Sequence, residues 1–405
     1  MTLKQRLTGN AAKIVLVVLL AVPALRSMTG SSQLEGENRK LAEFPAAPAS
    51  WQETLKFPAR LDQWINDHFG YRDRLLKLNN RVRHALFGTF PTVQVISGQN
   101  GRIFMSAHEA NFPPYTAIHP TCGFQFHDHE KIAGQMNAMH AAFRGWGIDA
   151  KLVIAPSSPA VYQEELPGWL AQRCARSVPP FRNILVPERL SPPVLASVYY
   201  PLEELRAARA EGEVIPKTWF HLTGFGSRLL TQKSVERLWN IKADEGTTLK
   251  TRIETQTSDL AHLFPGVKLS SKVEAIDFAA SGIEECKGAK CYPALRDALE
   301  KLGDVNRYRN ERAPKERLIM LSDSFGQYSA GWYARYYRDV IHFSTNTLGR
   351  LSDGELASLR GFLREEGRRS DVLFFYHDTG VLTGRIDLDL KKLASVQPMV
   401  SQVRN

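Results

Sequence analysis

The pattern of hydrophobic and polar positions divides the chain into a helical first part and a later part in which strands and helices alternate. Between residues 51 and 87, large apolar side chains recur every three or four positions, which indicates amphipathic helices. Residues 93–96 and 103–105 are short apolar runs on either side of Gly98-Gln99-Asn100-Gly101, a sequence typical of a hairpin turn. We therefore expect a helical and hairpin extension, over 51–110, before the main domain.

The last third of the chain has the most regular alternation. Its pattern predicts strand, helix, strand, helix and strand, at 317–322, 325–338, 339–344, 353–367 and 371–376. Before it we predict helices at 129–147, 194–210 and 227–239, a strand at 151–155, and an otherwise irregular segment at 243–316 with one strand near 273–278. Strands that alternate with helices favour a doubly wound, mainly parallel α/β sheet.

The N-terminus has the pattern of an export signal. Lys4, Arg6 and Lys13 precede the apolar residues 14–25, which Arg26 follows. Cleavage near Val22-Pro23-Ala24 and retention as a single-pass anchor both remain open, and we favour retention. The predicted organisation is a signal segment (1–28), a Gly-, Ser-, Pro- and charge-rich linker (29–50), one domain (51–395) and a tail (396–405).

Four cysteines suit an exported protein. In an oxidising compartment an even count suggests disulfides, most simply Cys286–Cys291 and Cys122–Cys174, although three pairings are possible. No pair of cysteines has the spacing of a zinc site. His127 and His129 flank Asp128, but two histidines in a loop are weak evidence for a metal. We predict no metal and no cofactor.

The composition allows a large core and an anionic partner. Of 405 residues, 43% are hydrophobic, and 52 Lys and Arg against 42 Asp and Glu give a net charge of +10. The chain has no nucleic-acid signature, so a basic excess favours an anionic glycan or a membrane surface, or is simply a solvated face.

The segment Leu318 to Tyr328, LIMLSDSFGQY, is the strongest candidate for chemistry. A buried apolar strand that ends in a small polar turn places Ser324 at the carboxyl edge of the sheet, where open α/β folds keep their active sites. A serine there can act as a nucleophile if a base reaches it. Two histidines are serious candidates for that base. His377 follows the strand at 371–376, and His221 lies in a strand-like run before a Gly-rich turn.

Several segments, taken in order, resemble the alginate O-acetyltransferase family (AlgJ/AlgX type), whose catalytic domain is similar to SGNH hydrolases. They are ENRKLAEFP at 37–45, WINDHFGYR at 64–72, GQNGRIF at 98–104, the stretch from Ala155 to Pro167, and SDSF at 322–325. Three positions depart from the family pattern: Arg102 replaces Trp, Ser158 replaces Lys and Ser322 replaces Gly. The resemblance covers roughly 35–380 and implies an SGNH-like fold.

The family's second catalytic motif, DxHWxxxG, selects between the two histidines. His221 and Gly226 match it, but Trp219 stands at the position of the triad acid and Leu222 at that of the motif's Trp. Loss of that acid costs about 10⁴ in rate where nothing replaces it. Three interpretations stay open: Asp378 or a backbone carbonyl orients His221; His377 is the base; or the site is degenerate and the protein binds or organises a polysaccharide.

The resemblance implies an exported O-acetyltransferase, or an acetylesterase, that acts on a polysaccharide by double displacement through Ser324 and His221. The expected oxyanion donors are the backbone N–H groups of Ser324 and Phe325. Asp323, Tyr328 and Asn346 are further candidates for supporting roles. The implied setting is the periplasm, tethered to the inner membrane, with a membrane-bound O-acyltransferase as partner.

Overall fold

A computed structural model describes residues 41–394, together with residues 10, 11, 13, 15–18, 21, 22, 25 and 26. The tail at 396–405, most of the signal segment and the linker up to residue 40 lie outside the described residues. Among those described, no helix is both long and apolar enough to cross a membrane. Residue contacts divide the chain into two compact units, Met1–Thr92 with Ala261–Lys268, and Val93–Leu260 with Leu269–Asn405.

Within residues 41–92 the first unit contains the helices α1 (Trp51–His68) and α2 (Arg72–Phe87). Helix α1 begins at Ser50, whose side chain accepts a hydrogen bond from the Glu53 N–H. Within the same unit the Asn80 side chain donates to the Pro265 carbonyl at 2.9 Å. Two consecutive helices agree with the periodicity of 51–87.

The second unit is built on a mixed sheet of seven strands in the order β4-β3-β11-β9-β10-β8-β7. Strands β4, β3, β11, β9 and β10 run parallel, and β8 and β7 add an antiparallel edge. The sheet strands are β3 (Ala150–Ala155), β4 (Val198–Tyr199), β7 (Glu284–Lys287), β8 (Val305–Arg309), β9 (Lys315–Ser322), β10 (Tyr337–Ser344) and β11 (Asp371–His377). The α/β class and the mainly parallel sheet are confirmed.

Helices and two small hairpins complete this unit. The hairpin strands are β1 (Val95–Ser97) with β2 (Ile103–Met105), and β5 (Thr251–Thr257) with β6 (Ser270–Ile276). The helices are α3 (His119–Cys122), α4 (His129–Gly145), α5 (Ser158–Val161), α6 (Gly168–Ala175), α7 (Pro180–Ile184), α8 (Pro192–Ser197), α9 (Leu202–Ala207), α10 (Phe225–Trp239), α11 (Arg296–Leu302), α12 (Ser324–Tyr333), α13 (Asp353–Glu366), α14 (Asp378–Leu382) and α15 (Arg385–Leu393).

The central strands are apolar on both faces because helices cover both sides of the sheet. Leu318 to Leu321 in β9 and Val372 to Tyr376 in β11 are at most 1% exposed. These strands run parallel, with Phe375 of β11 opposite Ser322 of β9. Their carboxyl ends therefore meet at one edge of the sheet.

Three expectations about local structure were wrong. The helix predicted at 194–210 is broken into α8, β4 and α9, with Pro201 directly before α9. In the segment 243–316 the one expected strand is present as β6, but β5, β7, β8 and α11 were not expected. The run before the Gly-rich turn is not a strand: residues 217 and 218 form a turn, and residues 220 and 221 form a bend.

Disulfides join Cys122 to Cys174 and Cys286 to Cys291. This is the simplest of the predicted pairings, and it is typical of an exported protein.

Candidate active site

Ser324 lies where the innermost strand turns into a helix. Strand β9 ends at Ser322, and α12 begins at Ser324, which is half-buried. Asp323 caps the helix, and its Oδ1 accepts a hydrogen bond from the Phe325 N–H at 2.9 Å. The Phe325 amide is therefore already engaged, which corrects its expected role as an oxyanion donor. The Ser324 amide is the first of the helix, where no bond within the helix is possible.

His221 reaches Ser324 from the loop before α10. Its Nε2 is 2.9 Å from Ser324 Oγ. The turn that follows depends on two glycines. Gly224 has φ +57°, and a Cβ on Gly226 would lie 1.9 Å from the Val214 carbonyl oxygen. The Gly-rich turn thus fixes the direction from which the imidazole approaches the sheet edge.

The carboxylate that orients His221 comes from Asp259, two residues after β5. Asp259 Oδ2 is 2.6 Å from His221 Nδ1, and the side chain is 4% exposed. The backbone N–H groups of Phe220 and His221 also donate to this carboxylate, at 3.0 Å and 2.9 Å. Nearby, Ser258 Oγ donates to the Thr218 carbonyl at 2.5 Å, which ties the end of β5 to the histidine loop.

The position of Asp259 overturns two expectations about the group that orients His221. The triad acid position of the family motif holds Trp219, yet a carboxylate is present from elsewhere in the chain. Asp378 does not orient His221, because its carboxylate accepts from the backbone N–H groups of Ser157 and Thr379 instead.

The three side chains form a continuous relay. With Asp259 accepting the Nδ1 proton, Nε2 of His221 carries the lone pair and accepts from the Ser324 hydroxyl. A carboxylate at Nδ1 also stabilises the imidazolium that forms when the serine gives up its proton. This is the arrangement of a serine nucleophile, a general base and an orienting acid.

Trp219 and Tyr328 pack beside this relay. Trp219 is 4% exposed and contacts the Tyr328 ring edge-on, at 5.5 Å between centroids. It is therefore a core side chain and not an exposed platform for a sugar. The Tyr328 ring lies 4.8 Å from the His221 ring. Burial, followed by the charges of Asp259 and Asp304, raises the pKa of Tyr328 to about 12, so the phenol keeps its proton.

His377 belongs to a second histidine–carboxylate pair. Its Nδ1 lies 2.6 Å from Asp323 Oδ2, which also accepts from the His377 backbone N–H at 2.8 Å. The Ser324 hydroxyl is bonded to His221, and His377 Nε2 is buried without a hydrogen-bond partner among the described residues. This geometry argues against His377 as the base for Ser324. Burial alone would raise the pKa of Asp323, but His377 and the helix amide outweigh it and hold the pKa below its usual range.

A buried chain of hydrogen bonds supports the turn that joins β9 to α12. The Asn306 amide donates to His342 Nδ1 at 3.0 Å, so that Nε2 carries the proton. That nitrogen lies 2.7 Å from Ser322 Oγ, which donates in turn to the Asp323 carbonyl at 2.6 Å. Burial lowers the pKa of His342 to about 3, so the chain is neutral. Ser322, which replaces the family's glycine, is thus a structural residue.

Asn346 follows β10 at the same edge of the sheet but is exposed, and its backbone N–H lies 3.4 Å from Ser344 Oγ. Within residues 41–394 and the described N-terminal positions, no group of three or more His, Cys, Asp or Glu side chains could hold a metal ion.

No family model and no curated protein sequence matches the chain. Three solved structures have similar folds. A DHHW family protein from Eubacterium siraeum is 12% identical, with 76% of this chain and 100% of that chain covered and a TM-score of 0.47. The O-acetyltransferase domain of Pseudomonas putida AlgJ is 14% identical, with 71% and 92% covered and a TM-score of 0.40. Bacillus cereus PatB1, solved with a sulfonyl adduct, is 11% identical, with 71% and 95% covered and a TM-score of 0.45. These similarities are distant, and the chemistry has to be read from the residues of this chain.

Sequence reasoning brought Ser324 and His221 to one site but missed Asp259. The acid is 38 residues from the histidine, in a segment read as irregular. The available signal was Ser258-Asp259, directly after the polar strand TRIETQT, but nothing in the sequence links it to the histidine loop.

Proposed function

We propose that this protein is an exported O-acetyltransferase that modifies hydroxyl groups of a polysaccharide, with Ser324 as nucleophile, His221 as base and Asp259 as the orienting acid. The observation that carries the proposal is the relay Asp259–His221–Ser324, with contacts of 2.6 Å and 2.9 Å. The choice of an acetyl group and a sugar acceptor rests on the resemblance of the sequence motifs to the alginate O-acetyltransferase family.

The reaction proceeds by two displacements. Ser324 Oγ gives its proton to His221 Nε2 and attacks the acetyl carbonyl carbon, and the leaving group takes that proton as its bond to the carbonyl breaks. In the second step a sugar hydroxyl gives its proton to Nε2 and attacks the acetyl-serine, which releases Ser324 with its proton restored. The positive end of α12 and the Ser324 amide face the oxyanion of each step.

The proposed setting is the periplasm, with the N-terminal segment as tether to the inner membrane and a membrane-bound O-acyltransferase supplying acetyl groups. The alternative is a catalytically degenerate protein that serves as a polysaccharide-binding or scaffold subunit. The presence of Trp219 at the position of the triad acid suggested this alternative. Because Asp259 offers a carboxylate to His221, that replacement no longer argues against catalysis.

The test uses the full chain and p-nitrophenyl acetate as donor. We expect an acetyl group on Ser324 by peptide mass spectrometry, and no such adduct in Ser324→Ala or His221→Ala. Ser358→Ala, on the exposed side of α13, is the matched serine control and should acylate at the wild-type rate. Equal acylation of wild type and Ser324→Ala, or a stable adduct elsewhere, would refute the proposal.

A further inference from the structure

A cavity of about 430 Å³ adjoins the relay, within the second unit. Thr223, two residues after His221, lines it, as do Gln327 and Tyr328, one turn after Ser324. The Tyr328 ring contacts both the cavity and the His221 ring. A molecule in this cavity therefore lies within one side chain, that of Tyr328, of the base that activates the acceptor.

One wall of the cavity is aromatic and apolar. Phe278, Tyr308 and Trp332 line it, and the Phe278 and Tyr308 rings stack at 5.2 Å between centroids. Phe278 is the half-buried member that can pack against the C–H face of a sugar ring, whereas Tyr308 and Trp332 are 4% and 5% exposed and belong to the core behind it.

The charged groups of the lining are acidic in excess, and within the part of the chain that the structure describes one carboxylate among them has no ion-pair partner. Glu274 is paired with Arg228 at 3.1 Å, and Glu285 is paired with Lys287 at 3.0 Å. Asp304 lines the same cavity, is half-buried, and has neither an ion pair nor a side-chain hydrogen bond within the described part of the chain. Burial raises the pKa of Asp304, and the charge of His221 partly opposes this, which reflects how near the two groups lie.

We propose that Asp304 is a specificity-determining residue of the acceptor site, which accepts hydrogen bonds from sugar hydroxyls and selects a sugar without a carboxylate. The proposal rests on the acetyl-transfer function above, and it names the acceptor as an uncharged polysaccharide. A uronate ring would bring its carboxylate into a cavity that already holds an uncompensated negative charge. The local charge at the site is therefore opposite in sign to the net +10 of the chain.

The test compares two probes that differ in charge and in one methyl group per sugar: a β-1,4-linked glucuronic acid pentamer and its methyl ester. The variant at Asp304 separates the effect of the charge from that of the methyl group. Both lack the 6-hydroxyl group, so the comparison does not depend on which hydroxyl is acetylated. With p-nitrophenyl acetate as donor, we expect the wild-type chain to acetylate the ester about tenfold faster than the acid. The reason is that the carboxylates of Asp304 and of the sugar repel each other when they lie a few ångströms apart in a partly solvated cavity. Calorimetric binding of the same probes to Ser324→Ala gives the preference without turnover.

The variant Asp304→Asn should bring the ester-to-acid ratio close to one, in both rate and binding. Asp297→Asn removes an equal charge from an exposed position on α11 and should leave the ratio unchanged. Acylation of Ser324 in the absence of acceptor reports the folding of each variant, and Asp304→Ser provides a second substitution.

The outcomes separate the two proposals. If Ser324 is acetylated but the wild type shows no preference for the ester, or Asp304→Asn keeps it, or Asp297→Asn abolishes it equally, the acceptor assignment is wrong and the transferase proposal stands. If Ser324 is never acetylated, the transferase proposal fails, while a binding preference for the ester that Asp304→Asn removes would still support the acceptor site.

Discussion

Replacing Asp259 with asparagine tests the Asp259–His221–Ser324 relay at its acid, which lies outside the DxHWxxxG motif. Asparagine keeps the shape of the side chain and one oxygen, which can still accept from the backbone N–H groups of Phe220 and His221. It removes the charge 2.6 Å from Nδ1 and can favour the wrong imidazole tautomer. We expect kcat for acetyl transfer to fall by about 10⁴, which corresponds to about 5.5 kcal/mol of transition-state stabilisation.

The assay is the steady-state release of p-nitrophenol, with circular dichroism to measure the folded fraction. Because charge-assisted hydrogen bonds contribute roughly 1.5–3 kcal/mol each, we expect Asp259→Asn to lose stability on that scale and remain folded at 25 °C. Asp378→Asn is the matched control, since that buried carboxylate also binds backbone amides but does not contact His221. If Asp259→Asn keeps a rate within about threefold of wild type, or Asp378→Asn loses as much, Asp259 is not the orienting acid.

Three further predictions concern stability. A Cβ on Gly326 would lie 2.0 Å from Ser322 Oγ, so Gly326→Ala should lower the free energy of unfolding in urea by about 1–3 kcal/mol. Adding Ser322→Gly should restore part of that loss. If the losses of the two single variants simply add in the double variant, the predicted clash is wrong. Replacing Cys122 and Cys174 by alanine opens a loop of 52 residues and should cost about 4 kcal/mol, and an unchanged Tm would contradict the role of that disulfide. Burial lowers the pKa of His342 to about 3 in the folded state, against 6.5 ordinarily, so unfolding lets this group take up a proton in that window. It contributes a fall in stability of about 1.4 kcal/mol per pH unit as the pH drops below 6.5. His342→Gln should remove that contribution, and a slope equal to that of the wild type would contradict the assignment.

The features that follow from local pattern were predictable. Continuous apolar runs in β9 and β11 identified buried parallel strands, and parallel strands bring their carboxyl ends together. That rule alone places Ser324 and His377 at one edge of the sheet. Choosing His221 over His377 required the family resemblance, because strand ends do not show which imidazole faces the serine.

The features that depend on distant contacts were not predictable. Asp259 joins His221 through tertiary structure, and β5, the strand that leads to it, is mostly exposed and polar. The apolar signal of the hairpin lies in β6, on the far side of Asp259 in the sequence. The helix predicted at 194–210 had a suitable apolar period, but Pro201 interrupts it and the chain enters the sheet as β4.

The relay draws its acid and its base from separate stretches of chain, 38 residues apart. Asp259 also caps two consecutive amides of the histidine loop, so it has a structural role that does not depend on the reaction. The carboxylate that His221 needs can therefore come from a segment that the motif around the histidine does not include. A search by motif letters alone misses this arrangement, whereas a search for any carboxylate that caps the histidine loop finds it.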